Sequence, residues 1–285
     1  MPKTYNDLYL ATRTALKSAG VEAYALEARL LVAYAVGKTK EEFVRDLRLY
    51  TSDENEQKIA ALLQRRIAGE PLAYLIGEWE FHGLPIVVTP DVLIPRRDTE
   101  LLVTTAKELL LGRKMDARIL DLCCGSGCIA CALGHELPAT KLVAVDISAN
   151  ALEIARENFA SNRLGSRAIC IQADATSSPP MSIGQFDMIV SNPPYIASAE
   201  IMTLDASVRD YEPIWALDGG EDGYRFYKAI IKYWKSLLRP GGFLLFEVGE
   251  GQAATVKEML SSAGFRAVGS RLDTLNIERV VIGKM

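Results

Sequence analysis

Apolar positions recur at helical spacing through the first seventy or so residues, then give way to short apolar runs that alternate with amphipathic stretches. Thr4 with Asp7 three residues on resembles a capping box, and the helix it opens runs to Gly20. A second helix is predicted from about Glu22 to Val36, with Leu26, Leu30, Ala33 and Tyr34 on its apolar face and Gly37 as its stop. Thr39-x-x-Glu42 opens a short third helix. Thr51-x-x-Glu54 opens a fourth, carrying Ile59, Leu62, Leu63 and Ile67 before Gly69 and Pro71 end it. Residues 1–71 therefore read as a small helical bundle with no catalytic constellation of its own, a domain expected to recognise a partner.

Between residues 72 and 97 the pattern turns β-prone. Ala73 to Gly77 and Leu84 to Val88 read as short strands of a hairpin linking two domains. Beyond Asp98, strands and helices alternate to the end of the chain. Strands are predicted at Arg118–Leu122, Lys141–Val145, Ala168–Ile171, Phe186–Val190 and Phe243–Val248, with a final run at Ile277–Ile282. Helices fall between them, to about Leu137, from about Ala149 to Asn162 and from about Gly223 to Leu238. Such alternation requires an α/β fold for residues 98–285, a mainly parallel sheet with helices on both faces.

Composition narrows the class. With 49% hydrophobic and 24% charged residues the chain has the make-up of a globular protein. No apolar run approaches the roughly 18 residues of a membrane span, and no secretory signal opens the chain, so a cytoplasmic location without membrane contact is expected. Lys and Arg number 11 against 12 Asp and Glu over residues 1–90, and 21 against 24 in the remainder. Neither part has the basic excess that phosphate neutralisation calls for, which leaves Arg65-Arg66 and Arg96-Arg97 as the candidates for a local patch. The 5 cysteines cluster at Cys123, Cys124, Cys128 and Cys131 with Cys170 apart. Cys128-x-x-Cys131 lacks a second Cys/His pair, so small apolar packing is favoured over a metal site, and no metal is expected. His82 and His135 are the 2 histidines. With no acid or nucleophile motif beside them, both read as structural or surface residues.

Candidate chemistry gathers at strand ends. Asp121-Leu122-Cys123-Cys124-Gly125-Ser126-Gly127-Cys128-Ile129-Ala130 sits on the first strand-to-helix turn of the α/β part, and Gly125, Gly127 and Ala130 match G-x-G-x-x-G/A. Asp146 ends the next strand, placed to accept both hydroxyls of an adenosine ribose. Asp174, beside Ala175, follows the third strand and could accept from an adenine amino group or cap a turn. These residues fit a nucleoside cofactor, either a dinucleotide or S-adenosylmethionine. The fourth strand then runs into Ser191-Asn192-Pro193-Pro194-Tyr195. Two prolines cannot continue a sheet ladder, so the chain leaves the sheet and presents an amide, rigid carbonyls and an aromatic ring where ligands of open α/β sheets bind. Hydride transfer has no use for that loop, which favours S-adenosylmethionine.

Taken together, these residues resemble the S-adenosylmethionine-dependent methyltransferases that modify the glutamine side-chain nitrogen N5 in peptide-chain release factors. The resemblance spans the chain. Its segments are the helical N-terminus, Leu93-Ile94-Pro95-Arg96-Arg97-Asp98-Thr99-Glu100, the 121–127 loop, Asp146, Ser191 to Ile196, Val208-Arg209-Asp210-Tyr211-Glu212-Pro213 and Ala216-Leu217-Asp218-Gly219-Gly220. It implies a Rossmann-like class I methyltransferase sheet, joined by the hairpin to the small helical domain. It also implies a monomer that acts on the Gly-Gly-Gln glutamine of release factors, without direct nucleic-acid contact, and so tunes translation termination. Cys123, Cys124, Gly125, Ser126, Gly127, Asp146, Asp174, Ala175 and Asn192 would hold the cofactor. Asn192, Pro193, Pro194 and Tyr195 would hold the substrate, with Asn192, Pro193 and Tyr195 as the catalytic group. Two positions depart from the family pattern: Arg97 stands in place of a common proline, and Cys123 in place of a glycine. The second is tolerable if the position does not require positive φ.

The chemistry that follows is orientation. An amide nitrogen is a poor nucleophile because its lone pair is delocalised. Acceptance of its two N–H groups by the Asn192 oxygen and the Pro193 carbonyl would aim that lone pair at a sulfonium methyl. Tyr195 would pack on the amide plane. Two rivals remain at this level: a methyltransferase for exocyclic amines of adenine or guanine, and a non-catalytic cofactor-binding module of the termination machinery.

Overall fold

The computed structural model describes residues 3–111 and 116–285. The chain divides into two compact units, Met1–Gly77 with Ala206–Tyr211, and Glu78–Asp205 with Glu212–Met285.

The first unit is helical, with α1 Tyr5–Ser18, α2 Tyr24–Ala35, α3 Lys40–Arg45, α4 Asp53–Ile67 and α5 Leu72–Ile76, joined by α9 Ala206–Arg209 from later in the chain. Reciprocal capping boxes open α1 at Thr4 and Asp7 and α3 at Thr39 and Glu42, as their spacing predicts. The cap of α4 is Ser52 rather than Thr51, its hydroxyl accepting from the Asn55 N–H at 3.2 Å. Thr51 is still held in an extended segment, donating its N–H to the Lys3 carbonyl at 2.9 Å, so the helix starts one residue later than expected.

The apolar face of α2 also differs from its prediction. Ala28, Leu31, Val32, Ala33 and Ala35 are buried, whereas Leu26 and Tyr34 are exposed. This helix is apolar on almost every side and packs against α1, α3, α4 and α5, so its neighbours choose the buried stripe. Ala73 to Gly77, expected as a strand, instead make up most of α5 (Leu72–Ile76) and its C-cap. Pro71 precedes the turn, Gly77 closes it at φ 80°, and Leu72, Ala73, Tyr74 and Leu75 are all buried. A short apolar run buried on every side carries no period to tell strand from helix. Tyr211 returns to this unit, donating from its hydroxyl to the Ala68 carbonyl at 3.1 Å.

The second unit begins with a hairpin, β1 Glu78–Phe81 and β2 Leu84–Val87, paired antiparallel. Its two-residue turn is His82-Gly83, both at positive φ (51° and 75°), the geometry that matches strand twist. His82 is thereby a turn residue, its Nε2 2.9 Å from Glu136 Oε1, and His135 is at the surface. After α6 (Glu100–Leu110) come β3 Arg118–Leu122, α7 Cys128–Glu136, β4 Lys141–Asp146, α8 Ala149–Ser161, β5 Ala168–Gln172 and β6 Phe186–Ser191. Then follow α10 Arg225–Tyr233, β7 Leu238–Glu247, α11 Ala253–Ser262, β8 Arg266–Leu272 and β9 Glu278–Lys284.

These strands form one sheet in the order β5-β4-β3-β6-β7-β9-β8. The five on the β5 side run parallel, and β9 and β8 are antiparallel additions. Strand β8 was not foreseen. It is an edge strand with Arg266, Gly269 and Arg271 and almost no burial, so no alternation marks it. The core on one face of the sheet gathers Leu120, Ile189, Leu244 and Phe246 with Tyr227 and Val256 of the covering helices and Trp234 just after α10. Strand order reverses between β3, followed by the short 123–127 loop, and β6, followed by a long connection that reaches α10 only at Arg225. That reversal is the crevice where open α/β sheets bind ligands.

Candidate active site

The β3 loop turns within five residues because three of them take the left-handed region: Cys123 at φ 59°, Gly125 at 51° and Gly127 at 73°. Position 123 thus does require positive φ, and the cysteine there is strained where glycine would not be. The two glycines serve different ends. A Cβ on Gly125 would meet nothing within 4 Å, so that side of the loop is free for a ligand, whereas one on Gly127 would lie 2.8 Å from the Phe159 ring and 3.1 Å from the Ala155 Cβ. Gly127 lets α7 and α8 pack closely. Gly127→Ala is therefore expected to cost at least about 2 kcal/mol of stability, and Gly125→Ala about 1 kcal/mol with weakened cofactor binding. Thermal unfolding and titration calorimetry on the pair would check the split.

A residue that sequence reasoning missed anchors this loop. Asn158 of α8, fully buried, donates to the Ser126 carbonyl at 2.9 Å and the Val87 carbonyl at 3.0 Å, and accepts from the Val87 N–H at 2.7 Å. It ties the hairpin to the glycine loop.

Asp146, at the end of β4, accepts from the Gly125 N–H and the Ser148 N–H, each at 2.9 Å. Burial raises its pKa against those two hydrogen bonds. The Ile147 N–H also bonds to it, and three donors on four lone-pair sites leave the carboxylate room for a further donor. Asp174 accepts from the Thr176 N–H and hydroxyl, each at 2.7 Å, and from Ser177. Burial opposes ionisation there, but these hydrogen bonds hold the carboxyl below its usual range. It caps a turn and also faces the cavity. Asp121, missed as a functional candidate, is completely buried beneath the loop. Its Oδ2 accepts from the Ala130 N–H, its Oδ1 has no partner among the described residues, and burial pushes the carboxyl up to about 8.

A cavity of about 370 Å³ opens at the strand-order reversal, lined by Cys123, Cys124, Gly125, Ser126, Asp146, Asp174, Ala175, Asn192 and Pro194 among others. The volume, the open side of Gly125 and the remaining acceptor capacity of Asp146 suit a nucleoside. Gly127, Pro193 and Tyr195 are outside the lining. Burial raises the pKa of Cys123, Cys124, Cys128 and Cys131, which keeps them as neutral thiols.

Asn192 follows β6 directly, anchored by Ser191, whose hydroxyl donates to the Leu122 carbonyl at 2.7 Å. Its Nδ2 donates to Thr99 Oγ1 at 3.2 Å. Pro193 and Pro194 are buried and Tyr195 is half-buried. The Tyr195 backbone is clasped from outside the motif. A Cβ on Gly219 would lie 2.7 Å from its Cα and one on Gly223 2.5 Å from its carbonyl oxygen, which also accepts from Gln252 Nε2 at 2.9 Å. The Asp218-Gly219-Gly220 segment thus exists to press on the Asn-Pro-Pro-Tyr turn, pairing Ile196 with Asp218.

Ile94-Pro95-Arg96 and Glu212-Pro213 are likewise one feature. The buried Glu212 accepts from the Ile94 N–H at 3.1 Å and pairs with the Arg96 guanidinium. With Arg65 paired to Glu70 and Arg66 to Glu27, three of the four candidate patch arginines are already neutralised within the chain. Arg97 is exposed and opens a 3₁₀ turn, Arg97–Thr99, behind an extended Arg96 (φ −98°, ψ 147°). Proline is compatible with that site and its predecessor, so Arg97→Pro is expected to raise stability by about 0.4–1 kcal/mol, read as an upward shift in Tm.

The chain matches two family models, the PrmC N-terminal domain over residues 7–77 and the Methyltransferase small domain over residues 97–207. Among solved structures it resembles the hMettl16 catalytic domain in complex with a MAT2A 3'UTR hairpin, with a TM-score of 0.59 at 20% identity, over 78% of this chain and 81% of that one. That likeness shows the class I methyltransferase fold. Among curated proteins, the release factor glutamine methyltransferase of Geobacter sulfurreducens is 41% identical over 280 residues, 96% of this chain and 94% of that protein. Its namesake in Bradyrhizobium diazoefficiens is 41% identical over 267 residues, 92% of this chain and 89% of that protein. The one in Caulobacter vibrioides is 36% identical over 283 residues, 99% and 97%. Built on this fold, with the glycine loop, Asn192 and Pro194 lining one crevice, the chain belongs to the release factor glutamine methyltransferase family.

Proposed function

We propose that the chain transfers the methyl group of S-adenosylmethionine to the side-chain nitrogen N5 of the glutamine in the Gly-Gly-Gln motif of peptide-chain release factors. The observation that carries this reading, beyond family membership, is Asn192. It stands at the end of β6, lines the cavity, and spends its Nδ2 on Thr99, an arrangement that supports Oδ1 as the atom offered to the acceptor.

The bound cofactor supplies an electrophilic methyl on a sulfonium. Asp146 would hold the ribose hydroxyls through the acceptor capacity its backbone partners leave open. Gly125, Ser126, Cys123 and Cys124 would line the nucleoside's path, and Asp174 with Ala175 the adenine. Asn192 Oδ1 and the Pro193 carbonyl would each accept one N–H of the glutamine amide. That fixes the amide nitrogen with its lone pair toward the methyl, and stabilises the positive charge that grows on nitrogen as the new C–N bond forms and the S–C bond breaks. Pro194 stiffens the turn, since its ring fixes φ. Tyr195, held by Gly219, Gly223 and Gln252, would cover the amide plane and exclude water. Its hydroxyl stays neutral, because burial and the nearby Glu247 raise its pKa. The N5 proton becomes acidic after transfer and leaves without a dedicated base.

The helical unit would recognise the release factor, and the chain would work as a cytoplasmic monomer. Among the described residues, no helix is long and apolar enough to cross a membrane. The test is incubation with S-adenosylmethionine labelled in the methyl group, together with release factor or with nucleic acid. Label entering release factor alone is the expected result. Label entering nucleic acid would favour the base-directed reading, and none in either the non-catalytic one.

A further inference from the structure

Glu247 ends β7 one residue beyond Phe246, which pairs with Ser191 of β6, so Glu247 and Asn192 occupy equivalent positions on neighbouring strands. The Glu247 side chain is buried, and its Oε2 has no hydrogen-bond partner among the described residues. A carboxylate left so is costly unless it serves something. Thr99 stands between the two. It is the last residue of the 3₁₀ turn that runs into α6, with helical backbone (φ −64°, ψ −22°) and no side-chain cap bond to the helix. Its hydroxyl instead receives the Asn192 Nδ2 and bonds to Glu247.

We infer that Thr99 and Glu247 are positioning residues that set which end of the Asn192 amide faces the acceptor, a reading that rests on the clamp role of Asn192 proposed above. An ionised Glu247 can only accept, so the Thr99 proton must point to it. Thr99 Oγ1 can then only accept from Asn192, which forces Nδ2 inward and leaves Oδ1, the useful acceptor, toward the substrate. A protonated Glu247 can donate to Thr99, which frees the Thr99 proton to attract Oδ1 and turn the amide the wrong way. The relay therefore works when Glu247 is charged.

Burial pushes the Glu247 carboxyl up to about 7, against the hydrogen bond from Thr99; Asp98 adds to the rise, and Arg279 and Arg96 oppose it. The other titratable groups facing it are Tyr195 after β6, Tyr227 on α10 and Cys128 on α7, all neutral near pH 7. Turnover should thus fall as pH drops below about 7.

The experiment measures kcat and KM against pH for the full chain with S-adenosylmethionine and release factor, comparing wild type, Thr99→Val, Thr99→Ser, Glu247→Gln and Asn192→Ala. Thr99→Val is expected to lower kcat about tenfold, leave the cofactor KM within about twofold and abolish the acid limb, and Thr99→Ser to restore both. Glu247→Gln, whose amide can accept from Thr99 or donate to it and so no longer enforces one direction, should give a reduced, pH-independent kcat. Cofactor binding by calorimetry reports folding of each variant, and the near-isosteric Thr99 pair carries the test if Glu247→Gln does not fold. If Thr99→Val keeps wild-type kcat and its acid limb while Asn192→Ala is inactive, the relay is wrong and the clamp stands. If Asn192→Ala is active as well, the clamp itself fails.

Discussion

Asn192→Ala is expected to bind S-adenosylmethionine within a few-fold of wild type and to lose about 10²–10³ in methyl transfer. The split follows from where the side chain spends its atoms. Toward the protein it gives Nδ2 to Thr99 at 3.2 Å, and toward the cavity that it lines it would present Oδ1. Alanine leaves the Gly125 to Asp146 contact at 2.9 Å untouched, so the cofactor cradle persists. What disappears is one of two acceptors that would hold the glutamine amide in a reactive pose. A preorganised polar contact to a reacting group matters most at the transition state, so the loss should fall on kcat. Asn192→Asp should do little better. It supplies an acceptor but cannot donate to Thr99, and it adds a second carboxylate near Glu247. Single-turnover kinetics with cofactor-saturated enzyme would measure the effect, and near-wild-type turnover by Asn192→Ala would overturn the mechanism.

Asp146→Ala is expected to weaken cofactor binding about a hundredfold. Two hydrogen bonds from ribose hydroxyls to a buried carboxylate are worth roughly 1.5–3 kcal/mol each, offset in part by desolvation. The same substitution strips the Gly125 and Ser148 N–H groups of their acceptor. A loss of about 1–2 kcal/mol in folding stability should accompany the affinity change. Titration calorimetry gives the first and denaturant unfolding without cofactor the second. An unchanged cofactor Kd would remove Asp146 from the ribose.

These two residues were legible in the sequence because position alone marks them: each stands at the carboxyl end of a strand whose apolar run is unmistakable. The parallel strands β3, β4 and β6 were legible for the same reason, being buried on both faces. Where burial is one-sided or complete in a short stretch, the signal fails. Residues 72–76 are β-prone in composition, yet Pro71 and Gly77 bound a single buried helical turn. Leu26 and Tyr34 look like core residues of α2, but its packing partners bury the opposite side. Edge strand β8 has no apolar alternation to read.

The parts of the site that escaped are those assembled from distant segments. Asn158 lies 32 positions from the Ser126 carbonyl it holds, and Thr99 lies 93 from Asn192. Gly219 and Gly223 were visible as glycines, but that their missing side chains make room for Tyr195 is a fact of packing. Cys123 carries a lesson of its own. A cysteine where the pattern has glycine is free of strain only in the absence of positive φ, and the loop imposes φ 59°. The strain sits at the cofactor's turn, where the neighbouring glycines and the Asp146 bridge over-determine the backbone.

The central claim is that this site methylates a glutamine side-chain nitrogen in a release factor. It is tested most directly by fragment-ion mass spectrometry of release factor after reaction with the wild-type enzyme and S-adenosylmethionine. One methyl group on the glutamine of the Gly-Gly-Gln motif, carried by its side-chain nitrogen, is the result expected. A methyl group on any other residue, or an unmodified motif after cofactor turnover, would contradict it.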